Sequence, residues 1–135
     1  MLTHYSKPSI LVIDDDLDTL TLLRTLLSNG GFAVSTASCW SEITDRLNMA
    51  VNSRRAYDAI ILDLMMPERS GFDVLNSLKI IMNNKVPPVI ILSARYSTQD
   101  MVKASEMGAT KYLVKPTKPD KLLETVHEVI KQHKM

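Results

Sequence analysis

The chain of 135 residues has too little cysteine, too little net charge and too few consecutive apolar residues for several classes of protein. Its one cysteine, Cys39, excludes a disulfide framework and a zinc site built from cysteines. The 16 basic and 15 acidic residues nearly cancel, which argues against a protein built mainly to bind nucleic acid or an anionic membrane. No apolar run approaches the roughly 20 residues that span a bilayer. The N-terminal residues also lack the apolar stretch of a signal peptide.

What is present is the composition of one globular domain. Hydrophobic residues make up 45% of the chain and charged residues 23%, which excludes disorder for most of it. The length fits a single domain whose core is large enough to fold without crosslinks. We expect a flexible N-terminal tail over residues 1–8, a folded domain over residues 9–135, and a cytoplasmic location.

Short apolar runs alternate with helical patterns along the chain. The runs are rich in Val, Ile and Leu, as buried strands are, and they lie at residues 10–13, 32–36, 59–62, 89–92 and 112–114. Between them, apolar residues recur at spacings of three and four, which is typical of amphipathic helices. Strands buried on both faces indicate a parallel sheet that helices cover. The sequence therefore predicts an α/β fold made of five strand–helix units.

Local signals mark several helix ends. Asp16 is a predicted N-cap of the first helix, and Ser97 opens the fourth helix with Asp100 three residues later in a loose capping box. Pro119 suits the first turn of the last helix. Periodicity also places Val51 on the apolar face of the second helix.

Polar residues follow four of the predicted strands. Asp14 and Asp15 follow the first strand, Asp63 the third, Ser93 the fourth and Lys115 the fifth. Ligands of open α/β sheets bind at the carboxyl ends of the strands, so we expect these side chains to converge on one edge.

Such a cluster of carboxylates needs positive charge. Two like charges about 4 Å apart repel by roughly 4 kcal/mol at an effective dielectric of 20. Lys115 supplies one positive charge, and oxygen ligands without His or Cys favour Mg²⁺ as the source of two more. A carboxylate beside Mg²⁺, a hydroxyl and a lysine is suited to phosphoryl transfer, and an Asp carboxylate can itself be the nucleophile.

At this point the sequence resembles the receiver domain of bacterial two-component response regulators, with the chemotaxis regulator as the single-domain type. The resemblance covers about residues 9–132. It rests on motifs at residues 10–15, 63–67, 93–94, 112 and 115–116, which occur in order and at strand ends. It implies a doubly wound, flavodoxin-like (βα)5 fold with five parallel strands in the order 2-1-3-4-5.

The resemblance also implies roles for the clustered residues. Asp63 is the expected phosphoacceptor, and Asp15, Asp63 and the backbone carbonyl of Met65 are the expected Mg²⁺ ligands, with Asp14 acting on the metal mainly through water. Ser93 and Lys115 are expected to bind the phosphoryl group.

Further implied roles concern the switch and the loops around the cluster. Tyr112 is expected to turn inward as Ser93 moves, and the Lys115–Pro116 peptide bond is expected to be cis. Met65 and Arg95 occupy the positions that influence phosphoryl lifetime. The family usually has Asp-Gly in the loop after the phosphoacceptor, whereas this chain has Ser70 before Gly71. We expect Gly71 to keep the backbone freedom that the turn needs.

The implied partners are a histidine kinase or histidine phosphotransfer protein and a downstream effector. The effector would bind the face formed by the fourth helix, fifth strand and fifth helix. We expect no direct nucleic acid binding, no membrane association, and a monomer or a phosphorylation-dependent dimer. These 135 residues contain no helix-turn-helix or catalytic segment, so a stand-alone receiver and a piece of a longer regulator or hybrid kinase both fit.

We expect the chain to be a signalling switch and not a turnover enzyme. Two alternatives compete with this interpretation. Residues 14–16 contain the Asp-x-Asp signature of haloacid-dehalogenase-type phosphohydrolases, which would make Asp14 the nucleophile. Against that reading, position 18 is Asp, no acidic pair follows Lys115 at a strand end, and Asp63 has no role. The other alternative is a receiver-like module that binds partners without being phosphorylated.

Overall fold

The computed structural model describes residues 7–83 and 85–134, so most of the tail predicted over residues 1–8 lies outside the described residues. Strands and helices alternate strictly along the chain. They are β1 (Ser9–Ile13), α1 (Leu17–Asn29), β2 (Ala33–Ala37), α2 (Trp40–Ser53), β3 (Ala59–Leu62), α3 (Gly71–Ile81), β4 (Val89–Ser93), α4 (Thr98–Glu106), β5 (Lys111–Val114) and α5 (Pro119–His133).

The strands form one parallel sheet in the order β2-β1-β3-β4-β5, which confirms the predicted fold. At the carboxyl edge, Ile13 of β1 is level with Ala37 of β2 and with Leu62 of β3. Leu62 is in turn level with Ile91 of β4. Because neighbouring strands end at nearly the same height, the residues that follow them are brought side by side.

Alternation along the strands divides the core into two layers. On β1, Leu11 and Ile13 face a core that α2, α3 and α4 cover, whereas Ile10 and Val12 face a core covered by α1 and α5. The same period of two divides the side chains of β3 and β4. Apolar residues on both faces of these strands explain why their sequences read as continuous runs.

Hydrogen bonds from backbone N–H groups to side chains fix three helix starts. Asp16 accepts from Asp18 N–H at 3.2 Å, and Ser97 Oγ accepts from Asp100 N–H at 3.1 Å, which confirms both predicted caps. Ser70 Oγ caps α3 in the same way, accepting at 3.2 Å.

Two details of the predicted elements were wrong. The second strand runs from Ala33 to Ala37, because Phe32 lies buried in the preceding turn instead of in the ladder. On α2, Val51 is 46% exposed, since the helix turns Ile43, Leu47 and Ala50 inward instead. Within the part of the chain that the structure describes, no helix is both long and apolar enough to cross a membrane.

Candidate functional site

The sheet ladder positions the polar residues that follow the strands. Asp63 N–H donates to the carbonyl of Ile13 at 3.0 Å, so Asp63 is held against the end of β1. In the same way, Lys115 N–H donates to the carbonyl of Ser93 at 2.8 Å. Both bonds continue the parallel hydrogen-bonding pattern one step beyond the strands. Backbone pairing therefore fixes where these side chains begin.

Three carboxylates meet at this edge. Asp14, Asp15 and Asp63 each offer an oxygen, and the three oxygens lie within 4.8 Å of one another. Asp14 and Asp63 are buried, with exposures of 2% and 6%, whereas Asp15 is exposed. The cluster is thus rooted in the protein interior and open to solvent on the side of Asp15.

Lys115 reaches into the cluster from β5. Its Nζ lies 2.6 Å from Asp14 Oδ2 and 3.2 Å from Asp63 Oδ2. Burial raises the pKa of Asp14, and the hydrogen bond from Lys115 opposes that shift. Burial alone would lower the pKa of Lys115, but its hydrogen bond to Asp14 and the charges of Asp14 and Asp63 outweigh burial and raise it. The ammonium group therefore remains charged at neutral pH.

The charges and ligand types fit a divalent cation. With its carboxylates ionised, the cluster carries three negative charges and Lys115 carries one positive charge, which leaves an excess of two negative charges. All the donor atoms are oxygens, the ligand type that Mg²⁺ prefers. The residues present therefore match a magnesium ion in both charge and chemistry.

Short loops orient the two buried carboxylates. Asp14 Oδ1 accepts from Asp16 N–H at 3.0 Å, which leaves Oδ2 for Lys115. Asp63 Oδ1 accepts from Met65 N–H at 3.1 Å, so Met65 lies directly beside the carboxylate. The Met65 side chain is 52% exposed and brings no polar atom to the site.

Gly71 is needed for space and not for an unusual backbone angle, which corrects the expectation from sequence. Gly31 and Gly108 have positive φ angles, but Gly71 does not. A Cβ atom at Gly71 would lie 2.5 Å from the carbonyl oxygen of Asp63 and 2.6 Å from Leu64 Cα. The first turn of α3 thus packs directly on the backbone that carries Asp63.

The loop after β4 links the predicted switch residues. Ser93 is fully buried, and its Oγ accepts from Arg95 N–H at 3.2 Å. Tyr112, which is half-buried, donates its hydroxyl to the carbonyl oxygen of Arg95 at 2.7 Å. Burial and the charge of Asp100 raise the pKa of Tyr112, so the phenol keeps the proton that this bond uses. Ser93 and Tyr112 are therefore joined through one residue.

An ion pair in this loop was missed from the sequence. The Arg95 guanidinium binds Asp100 in a bidentate manner, with nitrogen–oxygen distances of 2.8 and 3.0 Å. From the sequence, Asp100 is expected only to take part in the cap of α4. The opposite charges five residues apart were the available signal, but a loop intervenes and helical spacing does not apply. Farther along the chain, the Lys115–Pro116 peptide bond is cis, the isomer that the resemblance implied.

Comparison with known proteins assigns the family. Residues 10–127 match the model of the response regulator receiver domain. The chain belongs to this family. The receiver domain is 46% identical over 114 residues to the transcriptional regulatory protein PrrA of Mycobacterium leprae, a match that covers 84% of this chain and 46% of PrrA. It is 34% identical over 123 residues to the transcriptional regulatory protein CpxR of Escherichia coli K12, covering 91% of this chain and 49% of CpxR.

The receiver domain thus spans about half the length of these curated relatives. Its fold is similar to that of the chemotaxis protein CheY4 of Vibrio cholerae, with a TM-score of 0.80 and 28% sequence identity. That match covers 92% of this chain and 99% of the CheY4 chain.

Proposed function

We propose that the receiver domain accepts a phosphoryl group on Asp63 and uses it to change its affinity for a partner. The observation that carries this proposal is the place of Asp63 within the acidic cluster. Its carboxylate is within reach of the other two acidic side chains and 3.2 Å from the Lys115 ammonium. The phosphohydrolase alternative, with Asp14 as nucleophile, leaves this arrangement around Asp63 without a role.

The transfer is a displacement at phosphorus. A carboxylate oxygen of Asp63 attacks the phosphorus of a phosphohistidine on a histidine kinase or phosphotransfer protein. The new O–P bond forms as the P–N bond breaks, and the departing imidazole keeps the electron pair and takes a proton. Lys115 holds its ammonium beside the carboxylate, where it can neutralise phosphoryl oxygens. Asp14, Asp15, Asp63 and the carbonyl of Met65 would hold Mg²⁺, which neutralises charge on the transferring group.

The loop after β4 would carry the signal outward. In the proposed switch, the buried hydroxyl of Ser93 exchanges its bond from Arg95 N–H for one to a phosphoryl oxygen. Because Tyr112 is bound to the carbonyl of the same Arg95, a shift of the loop releases or redirects the tyrosine. Such a local change biases a two-state equilibrium. The face formed by α4, β5 and α5, which contains Tyr112 at the outer end of this path, would meet the effector.

Acetyl phosphate supplies a direct test, since it replaces the kinase as donor. We expect incubation with acetyl phosphate and Mg²⁺ to give an adduct that mass spectrometry locates on Asp63. Asp63→Asn should give none, whereas Asp14→Asn should keep the adduct at a reduced rate. An adduct on Asp14, or turnover of free phosphate esters that requires Asp14, would support the phosphohydrolase instead. No adduct, together with no binding of beryllofluoride, would indicate a module that is not phosphorylated.

Four further expectations belong to the same proposal. The domain is taken to act in the cytoplasm, where the kinase would reach it, and as a signalling protein instead of a turnover enzyme. Residues 9–135 are taken as the folded unit, and the family match over residues 10–127 supports that extent. The predicted assembly remains a monomer or a phosphorylation-dependent dimer.

A further inference from the structure

A second concave surface lies along the free edge of β2, between α1 and α2. It encloses about 480 Å³, and eleven residues line it. Three of these are arginines, namely Arg24 on α1, Arg46 on α2 and Arg55 just after α2, and none of the eleven is acidic. The groove is therefore strongly basic, although the chain as a whole carries a formal charge of only +1.

These arginines keep their charges available. Among the described residues, none of the three forms an ion pair. Arg24 donates from Nη2 to Thr36 Oγ1 at 2.9 Å, which holds its guanidinium over the strand edge. Glu42, one turn before Arg46, accepts from the N–H and hydroxyl of Ser38, at 2.7 and 2.8 Å. These bonds and, to a smaller extent, the charge of Arg46 lower the pKa of Glu42, but the two side chains form no ion pair. Guanidinium groups that form no ion pair within the protein favour carboxylate partners.

The floor of the groove is a strand edge with free backbone groups. Ala33 N–H donates to the carbonyl of Pro8, and the carbonyl of Ala37 accepts from Asp14 N–H. Because backbone groups alternate in direction along a parallel strand, residues 33, 35 and 37 face β1. Val34 and Thr36 therefore direct their N–H and C=O groups away from the sheet. Such unpaired groups are a template for an additional strand.

We propose that this groove binds an extended acidic segment of a partner protein, which adds to the sheet as a strand beside β2. Its backbone would pair with Val34 and Thr36. Successive side chains of a strand point to opposite faces, so two consecutive acidic residues reach Arg24 on the α1 side and Arg46 on the α2 side. A second copy of this chain fits less well, because pairing two β2 edges would bring these arginines against one another.

A designed peptide tests the proposal with the 135-residue chain. The probe is a fluorescein-labelled peptide of sequence Thr-Val-Glu-Glu-Val-Glu-Glu-Thr, and its binding is followed by fluorescence anisotropy. An exposed ion pair contributes up to about 1 kcal/mol, or roughly fivefold in Kd. We therefore expect Arg24→Gln and Arg46→Gln each to weaken binding by up to about fivefold. Arg54→Gln is the matched control, since Arg54 also ends α2 but does not line this groove.

A second measurement separates strand addition from simple charge attraction. Bound peptide should slow hydrogen exchange at the amides of Val34 and Thr36, as followed by NMR. Equal binding of a peptide with Lys in place of Glu would overturn the proposal, as would binding without slower exchange at these two amides. So would the absence of binding, or a concentration-dependent dimer that protects the same amides without peptide. None of these outcomes depends on Asp63, so phosphoacceptor function is tested separately.

Discussion

The balance of charge at the acidic cluster predicts that Asp15→Asn stabilises the metal-free domain. Asp15 faces two carboxylates and one ammonium, so its neighbours carry a net charge of −1. At 4.8 Å that repulsion amounts to about 0.9 kcal/mol in a water-like dielectric and about 3.5 kcal/mol at an effective dielectric of 20. Because Asp15 is exposed, the lower value applies. A gain of about 1 kcal/mol corresponds to roughly 3–5 °C in Tm for a domain of this size.

Magnesium should reverse the order of stability. A cation that binds only the folded state stabilises it by about 1.4 kcal/mol at ten times its Kd. Wild type should therefore gain Tm on addition of Mg²⁺, while Asp15→Asn, which loses one of the three negative charges and one carboxylate ligand, should gain little. Thermal unfolding followed by circular dichroism, with EDTA or with MgCl2, measures all four values.

Asp16→Asn is the matched control for this experiment. Asp16 is the adjacent carboxylate, but it caps α1 and bonds to Thr19 instead of joining the cluster. Because Asn caps helices about as well as Asp, this variant should resemble wild type in both conditions. The reasoning would be refuted if Asp15→Asn melted at or below the wild-type temperature in EDTA, or if it kept the full response to Mg²⁺.

Other perturbations test the loops around the site. Gly71→Ala forces a methyl group to within 2.5 Å of the Asp63 carbonyl oxygen, so unfolding in urea should show a loss of about 1–3 kcal/mol, and phosphorylation of Asp63 should slow. An unchanged midpoint would contradict the contact. Met65→Asn places a polar group beside Asp63, where it can orient an attacking water. Release of phosphate should therefore become faster than in wild type, and an equal or slower rate would contradict this role of position 65. Hydrogen bonds from the Ser38 N–H and hydroxyl hold the pKa of Glu42 below its usual range. The stabilisation by this carboxylate is therefore present above the unfolded pKa of about 4.3 and is lost as pH falls through the lower folded pKa. The difference in unfolding free energy between wild type and Glu42→Gln should thus be largest near neutral pH and should disappear in acid. A difference that does not depend on pH would exclude the lowered pKa of Glu42.

The positions of the clustered residues could be predicted from the sequence because these residues lie at the ends of strands. Asp14, Asp63, Ser93 and Lys115 directly follow or end short apolar runs, and parallel pairing leaves one edge at which they can meet. The helix cap at Asp16 could be predicted equally well, because a cap depends on a spacing of only two or three residues. Local patterns of this kind need no knowledge of distant parts of the chain.

Contacts between loops could not be read in that way. The bidentate bond between Arg95 and Asp100 depends on how the chain turns between β4 and α4, and no periodicity describes that turn. The reason for Gly71 was wrong for a related cause. A glycine is needed there because Leu64 and Asp63 approach closely, and not because the backbone has a positive φ angle. The sequence likewise could not predict that Lys115 lies closer to Asp14 than to Asp63.

By itself, the sequence determined the alternation of strands and helices, the parallel sheet and the residues at its carboxyl edge. Those features follow from periodicity and burial, which act over a few neighbouring residues. The tertiary structure alone decided which groups at that edge share hydrogen bonds. It also decided that three arginines, separated along the chain, line one groove beside a free strand edge. The physical reason is that short-range forces fix the elements, whereas the distances between side chains depend on how whole layers pack together.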